Sequence, residues 1–159
     1  MINRKAISVI AAAVMAIALL CACGNSSKDV SIDLQSFYQG LEQSVDMSEL
    51  HALTEKKIKS TYGIDAQQCP QIIIARSNNA LVTDEVWLIE APDSATAGEF
   101  AAKAQECITQ KCQENENYLP DQYAVAKDGR VVTAGNYVAL FVSPKAEDME
   151  NMFLKSAGK

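Results

Sequence analysis

The sequence is poor in the residues and motifs that build most catalytic and cofactor sites. It has a single histidine, His51, and its lysines and arginines form no cluster. It lacks the GxGxxG and P-loop phosphate-binding motifs, an EF-hand calcium loop and a GxSxG nucleophile elbow. These absences leave no support for a nucleotide cofactor, for calcium binding or for a familiar serine-hydrolase mechanism, and we expect no cofactor.

The charge balance is acidic. The 159 residues carry a formal charge of −6, with 14 basic and 20 acidic side chains. An acidic chain without a basic patch is a poor match for nucleic acid or for anionic lipid head groups. We therefore expect no nucleic-acid partner.

Long apolar runs are also missing, except at the start of the chain. "MINRK" is followed by "AISVIAAAVMAIALL", in which only Ser8 is polar, and then by small and polar residues. This order is typical of a secretory signal peptide. As a helix, the fifteen apolar residues would reach about 22 Å, less than the roughly 30 Å of a bilayer core, so a retained membrane span is the weaker interpretation.

The end of this run, "LCAC", resembles the lipobox of bacterial lipoproteins, in which a lipidated cysteine becomes the first residue of the mature protein. If Cys23 is modified, the small residues Cys21 and Ala22 precede the cut. If Cys21 is modified, bulky Leu20 precedes it. Cys23 is therefore the predicted lipidation site, and residues 1–22 are the predicted signal peptide. The alternative is cleavage by the general signal peptidase, with both cysteines incidental.

A lipidated Cys23 would make the membrane the first predicted partner. Each buried CH₂ of an acyl chain such as palmitate contributes about 0.8 kcal/mol to membrane binding, and two or more chains make the attachment durable. The following "GNSSKDVS" predicts an unstructured tether over residues 23–32. Residues 33–159 are long enough for one domain, which we place on the extracytoplasmic face of the cell membrane.

Three cysteines follow the predicted lipidation site. Cys107 and Cys112 lie five residues apart on a predicted helix, so they point in different directions and are poorly placed to bridge each other. Cys69 could pair with one of them, and three free thiols are the alternative. A zinc site made of these cysteines and His51 would lack CxxC-like spacing, so we predict no metal site.

Hydrophobic periodicity predicts eight elements in the domain. Spacing and capping residues predict helices at 31–45, 47–65, 94–118 and 145–158. Short β-branched and aromatic runs predict strands at 69–77, 85–91, 130–135 and 136–143. The segment 124–129 fits either a helical turn or an added strand. The order α-α-β-β-α-β-β-α predicts an α+β fold, a four-stranded, mainly antiparallel sheet with helices packed on one face.

Four short motifs carry a family resemblance. "YGID" at 62–65, "SNNALVTDEVWLIEA" at 77–91, "YLPDQY" at 118–123 and "GNYVALFVS" at 135–143, together with the lipobox, resemble the domain of unknown function 4358 family of small bacterial lipoproteins. The resemblance runs from about residue 33 to about residue 154. It implies no catalytic or cofactor-binding residue. The motif tyrosines and Trp87 are interpreted as packing residues, or alternatively as the lining of a groove for a peptide or glycan.

Two functional hypotheses from different classes follow. The first is a lipid-anchored, non-enzymatic module that binds an envelope protein, peptide or glycan through the open face or edge of its sheet. The alternative is an extracytoplasmic enzyme, an envelope hydrolase. That enzyme would need a cleft where His51, Asp121 or the adjacent Asp84 and Glu85 converge with perturbed pKa values. As neighbours on a strand, Asp84 and Glu85 should point to opposite faces of the sheet.

Overall fold

The computed structural model describes residues 30–159. The α-helices in this range are α1 to α5, at Leu34–Ser44, Glu55–Tyr62, Ser94–Asn115, Pro120–Lys127 and Ala146–Ser156. The strands are β1 to β5, at Leu50–Ala52, Gln71–Ser77, Glu85–Glu90, Arg130–Ala134 and Tyr137–Val142. A 3₁₀ turn spans Ala66–Gln68. No helix within residues 30–159 is long and apolar enough to cross a membrane.

The strands form one sheet in the order β1-β2-β3-β5-β4, and every neighbouring pair is antiparallel. Two hairpins, β2–β3 and β4–β5, meet through β3 and β5 at the centre. The tight turn of the second hairpin contains Gly135, whose φ of 59° is the left-handed conformation that glycine adopts without strain. The predicted α+β class, the antiparallel pairing and both hairpins are confirmed.

Helices cover both faces of this sheet, so the prediction that they lie on one face is wrong. On β3, Val86 and Leu88 belong to a core with α1 and α5, whereas Trp87 and Ile89 belong to a second core with α2, α3 and α4. Residues 85–89 of this strand are all buried. Continuous burial, rather than alternation of apolar and polar residues, is the expected result when a strand is covered on both sides.

The fifth strand corrects the prediction of a four-stranded sheet. Residues 47–65 do not form one helix, because Leu50–Ala52 pairs with the edge of β2. The helix starts later, at Thr54, whose side chain accepts a hydrogen bond from the backbone N–H of Lys57. It ends where predicted, at Gly63, with a left-handed φ of 65°. Residues 124–127 of the ambiguous segment are helical and form the end of α4, which begins earlier, with Pro120 in its first turn.

The packed part of the chain includes two residues that the sequence assigned to the tether. Ile32 is only 4% exposed, and Val30 packs against the same core. The predicted signal peptide and Cys23 lie outside the described residues.

Two glycines should respond oppositely to alanine. A Cβ at Gly129 would lie 2.9 Å from the carbonyl oxygen of Ala126 and 3.0 Å from Cδ1 of Ile108, so Gly129→Ala should destabilise the fold by about 1–3 kcal/mol. Gly98 lies inside α3 with open space around it, so Gly98→Ala should stabilise by about 0.5–1 kcal/mol. Urea unfolding of the two variants tests this, and a shift of the same sign in both would contradict it.

Candidate functional site

A row of polar residues crosses one end of the sheet on the face that packs against α2 and α3. Register places His51 of β1 opposite Arg76 of β2, and Arg76 opposite Glu85 of β3. Directly opposite residues in an antiparallel pair project on the same side, so these three side chains share one face. Glu85 is the deepest of them, with only 1% of its surface exposed.

The Glu85 carboxylate is held by four side chains from three elements. Lys111 of α3 lies 2.9 Å from Oε2 and forms a salt bridge. The Tyr62 hydroxyl at the end of α2 donates to Oε1 at 2.7 Å, and the indole N–H of Trp87 donates to the same oxygen. The Cys107 thiol lies 3.6 Å from Oε1, one helical turn before Lys111. Three donors meet Oε1 and Lys111 meets Oε2, so both oxygens of the carboxylate are engaged by side chains of the fold, as is typical of a structural anion.

Burial strengthens the attraction between Glu85 and Lys111, but it also makes the loss of either partner costly. The Lys111 side chain is 15% exposed and that of Glu85 is 1% exposed, so water screens the pair weakly. Burial, followed by the nearby charge of Glu85, raises the pKa of the Tyr62 hydroxyl well above its usual range. Tyr62 is therefore neutral and acts as a donor. The ring of Tyr62 also contacts Trp87 edge to face, with centroids 4.6 Å apart.

A cavity of about 260 Å³ opens beside this cluster, and we call it the Glu85 cavity. Its lining is mostly polar and contains equal numbers of both charges. The basic residues are Arg76, Lys103 and Lys111, and the acidic residues are Glu85, Glu106 and Glu114. This balance suits a small polar ligand better than an apolar one.

A second cavity, of about 310 Å³, adjoins it. Arg76, Lys111 and Glu114 line both cavities, so these residues form the wall between them. Asp84 lines this second cavity, and burial raises the pKa of its carboxyl group. The prediction that Asp84 and Glu85 diverge fits this arrangement, because Asp84 is absent from the lining of the Glu85 cavity.

The three described cysteines, Cys69, Cys107 and Cys112, are free thiols. Burial first, and then the neighbouring charge of Glu85, raise the pKa of the Cys107 thiol to about 12. Burial also raises the pKa values of Cys69 and Cys112. Within residues 30–159, no three histidine, cysteine or acidic side chains are grouped to hold a metal ion.

The structure does not gather the proposed catalytic residues into one cleft. His51 is exposed on the edge strand and lines none of the cavities around Glu85. Asp121 is exposed in the first turn of α4. The Glu85 carboxylate forms a salt bridge with Lys111. The convergence that a hydrolase would require is therefore not present among these residues.

Most residues of the site were not predicted from the sequence. Among the aromatic candidates, Tyr62 and Trp87 do line the cavity, whereas Tyr137 is 4% exposed and Tyr118 is 84% exposed. Arg76 and Lys111 were not among the predicted site residues. One signal was available, since Glu85 opens a strand whose next four residues are apolar, and a buried carboxylate requires a cation nearby.

Comparison with known proteins gives a family but no characterised relative. No curated protein and no solved structure matches this chain. The model of the family described as "Domain of unknown function (DUF4358)" matches residues 43–143, which is more than half of the 159 residues and includes every residue of the Glu85 cluster. The chain belongs to the DUF4358 family.

Proposed function

We propose that this protein is a lipid-anchored, extracytoplasmic binding module of the cell envelope, non-enzymatic, with the Glu85 cavity as its ligand site. The anchor part of the proposal depends on the signal-peptide pattern and the "LCAC" lipobox, which together favour Cys23 as the attachment point. The binding part depends on one observation above the others: a small cavity lined by three basic and three acidic residues, in which the buried Glu85 is already paired with Lys111.

This cavity replaces the open sheet face as the proposed binding surface, because helices cover both faces. It also favours binding over hydrolysis. The buried carboxylate at its base already interacts with Lys111, Tyr62, Trp87 and Cys107, and only 1% of Glu85 is exposed, so a substrate would have to displace these contacts to reach it.

Metabolic labelling with an alkyne fatty acid tests the anchor. We expect label on the wild-type chain and on Cys21→Ala, and none on Cys23→Ala. Label retained on Cys23→Ala would overturn the proposed anchor.

Capture from intact envelopes with the same full-length chain tests the binding site. Thr61 is exposed on α2 and lines the cavity, so Thr61→Trp should block the cavity with little effect on the fold. Ser60 is exposed next to it and does not line the cavity, so Ser60→Trp is the matched control. We expect an envelope component retained by the wild type and by Ser60→Trp to be lost from Thr61→Trp. Equal capture by all three would overturn the cavity as the binding site.

A further inference from the structure

The charged side chains of the Glu85 cavity that are not paired with each other are the ones available to a ligand. Lys111 and Glu85 neutralise each other at 2.9 Å. This leaves Arg76 and Lys103 as the other cations and Glu106 and Glu114 as the other carboxylates in the lining. The free part of the cavity therefore carries two charges of each sign.

Arg76 is the cation with the most unused binding capacity. It forms no salt bridge among residues 30–159, whereas Lys111 is paired and Lys103 donates to the Tyr62 carbonyl oxygen at 3.3 Å. Interaction with the Tyr62 side chain and the charge of Glu85 both raise the pKa of Arg76, so the guanidinium stays protonated. Its planar fork of N–H donors matches a carboxylate in a two-point contact.

The carboxylates are placed to take a positive group. Glu106 and Glu114 lie on α3, eight residues and so about 12 Å apart along the helix axis, and both line the cavity. Glu114 accepts a hydrogen bond from Gln110 at 2.7 Å, and neither Glu106 nor Glu114 forms a salt bridge within the described part of the chain. Arg76 comes from strand β2, whereas both carboxylates come from α3, so the sheet and the helix each contribute one sign of charge to these three positions.

We infer that the Glu85 cavity binds a small zwitterion of the amino-acid or short-peptide class, with its carboxylate on Arg76 and its ammonium on Glu114, which lines both cavities together with Arg76. This inference rests on the proposed function and deepens it. The volume of about 260 Å³ lies below the roughly 300–1,000 Å³ typical of drug-sized ligands, which favours one or two residues over a longer chain. A ligand with one charge of each sign also leaves the cavity electrically balanced.

A multiply charged anion such as phosphate fits less well. It would meet Arg76 but would also be repelled by Glu106 and Glu114, in a chain whose formal charge is −6. Phosphate therefore serves as the discriminating probe for a simple anion site.

Isothermal titration of the full-length protein in detergent tests the inference, with alanyl-alanine as the probe. We expect binding to the wild type, and at least ten-fold weaker binding both of the C-terminal amide, which lacks the carboxylate, and of the N-acetyl derivative, which lacks the ammonium. Arg76→Gln should weaken the binding of alanyl-alanine at least ten-fold. It should also remove the difference in affinity between the free acid and its amide. Glu114→Gln should reduce the difference in affinity between alanyl-alanine and its N-acetyl form.

Arg130→Gln is the matched control, because among residues 30–159 this arginine forms an ion pair with Glu150 alone, at 3.9 Å, and does not line the cavity. It should bind like the wild type. The inference is overturned if alanyl-alanine does not bind at millimolar concentration, if Arg76→Gln and Arg130→Gln behave alike, or if phosphate binds as tightly. Envelope capture that is lost in Thr61→Trp alongside any of these results would leave the proposed function standing and reject only the ligand class.

Discussion

Lys111→Met is expected to lower the free energy of unfolding by about 3–5 kcal/mol, because it leaves the charge of Glu85 buried without its partner. Glu85 is 1% exposed and lies in the central strand β3, so it cannot turn to water without disrupting the sheet. Methionine keeps most of the volume and apolar length of the lysine. The loss of stability therefore reflects the unpaired charge of Glu85 rather than a packing defect. Chemical denaturation with the fluorescence of Trp87, the one tryptophan in the chain, measures it.

Two comparisons separate this effect from general damage. Lys59→Met removes a lysine that lies 2.8 Å from Asp65 but is 66% exposed, so it should cost no more than about 1 kcal/mol. Adding Glu85→Gln to Lys111→Met should recover much of the lost stability, because the amide is neutral and its oxygen still accepts from Tyr62 and Trp87. Equal losses for Lys59→Met and Lys111→Met would show that the Glu85 pair is not a buried ion pair in solution.

Alkylation of Cys107 by iodoacetamide at pH 8 should be roughly 1,000-fold slower in the folded protein than in the unfolded chain. The thiolate is the reactive form, and burial beside Glu85 raises the pKa of Cys107 from 9.0 to about 12. The fraction ionised at pH 8 falls accordingly. Because this pKa lies above the working range, the rate should continue to rise about ten-fold per pH unit from pH 8 to pH 10, without a plateau.

Peptide mass spectrometry can follow this thiol separately from its neighbour. Trypsin cuts after Lys103 and Lys111, which places Cys107 and Cys112 on different peptides. Cys112 is the internal control, since it is less deeply buried and should react faster in the same sample. Similar rates for the two thiols in the folded protein would contradict the buried position of Cys107 beside the carboxylate.

These two predictions also bear on function. If Glu85 and Lys111 neutralise each other, Arg76 of the sheet and Glu114 of α3 keep their charges available in the cavity, which the zwitterion site requires. The buried pair is then part of the scaffold of the site, since it ties α3 to the central strand. Arg76 and Lys111 line the same cavity, but their substitutions should have different effects. Lys111→Met should lower stability because it leaves a buried charge unpaired, and Arg76→Gln should weaken binding because it removes a ligand contact.

Local patterns predicted much of the fold because local physics determines those parts. Asp33, Asp93 and Gly63 mark helix ends through caps that involve only near neighbours in sequence. Both hairpins follow from turn residues between β-rich runs, with two residues between β4 and β5 and seven between β2 and β3. Strand β1 was not predicted, because three residues are too few to show a periodic pattern. The strand is formed by pairing with β2, more than twenty residues later.

By itself, the amino-acid sequence determined the α+β class, both hairpins, the ends of several helices and the family resemblance. It also carries the prediction of a lipid anchor at Cys23. Only the tertiary structure decided that helices cover both faces of the sheet and that Glu85 meets Lys111, Tyr62 and Cys107. The physical reason is the separation along the chain: Tyr62 lies 23 residues before Glu85, and Cys107 lies 22 residues after it. No local periodicity connects residues that only the packing of α2 and α3 against the sheet brings within hydrogen-bonding distance.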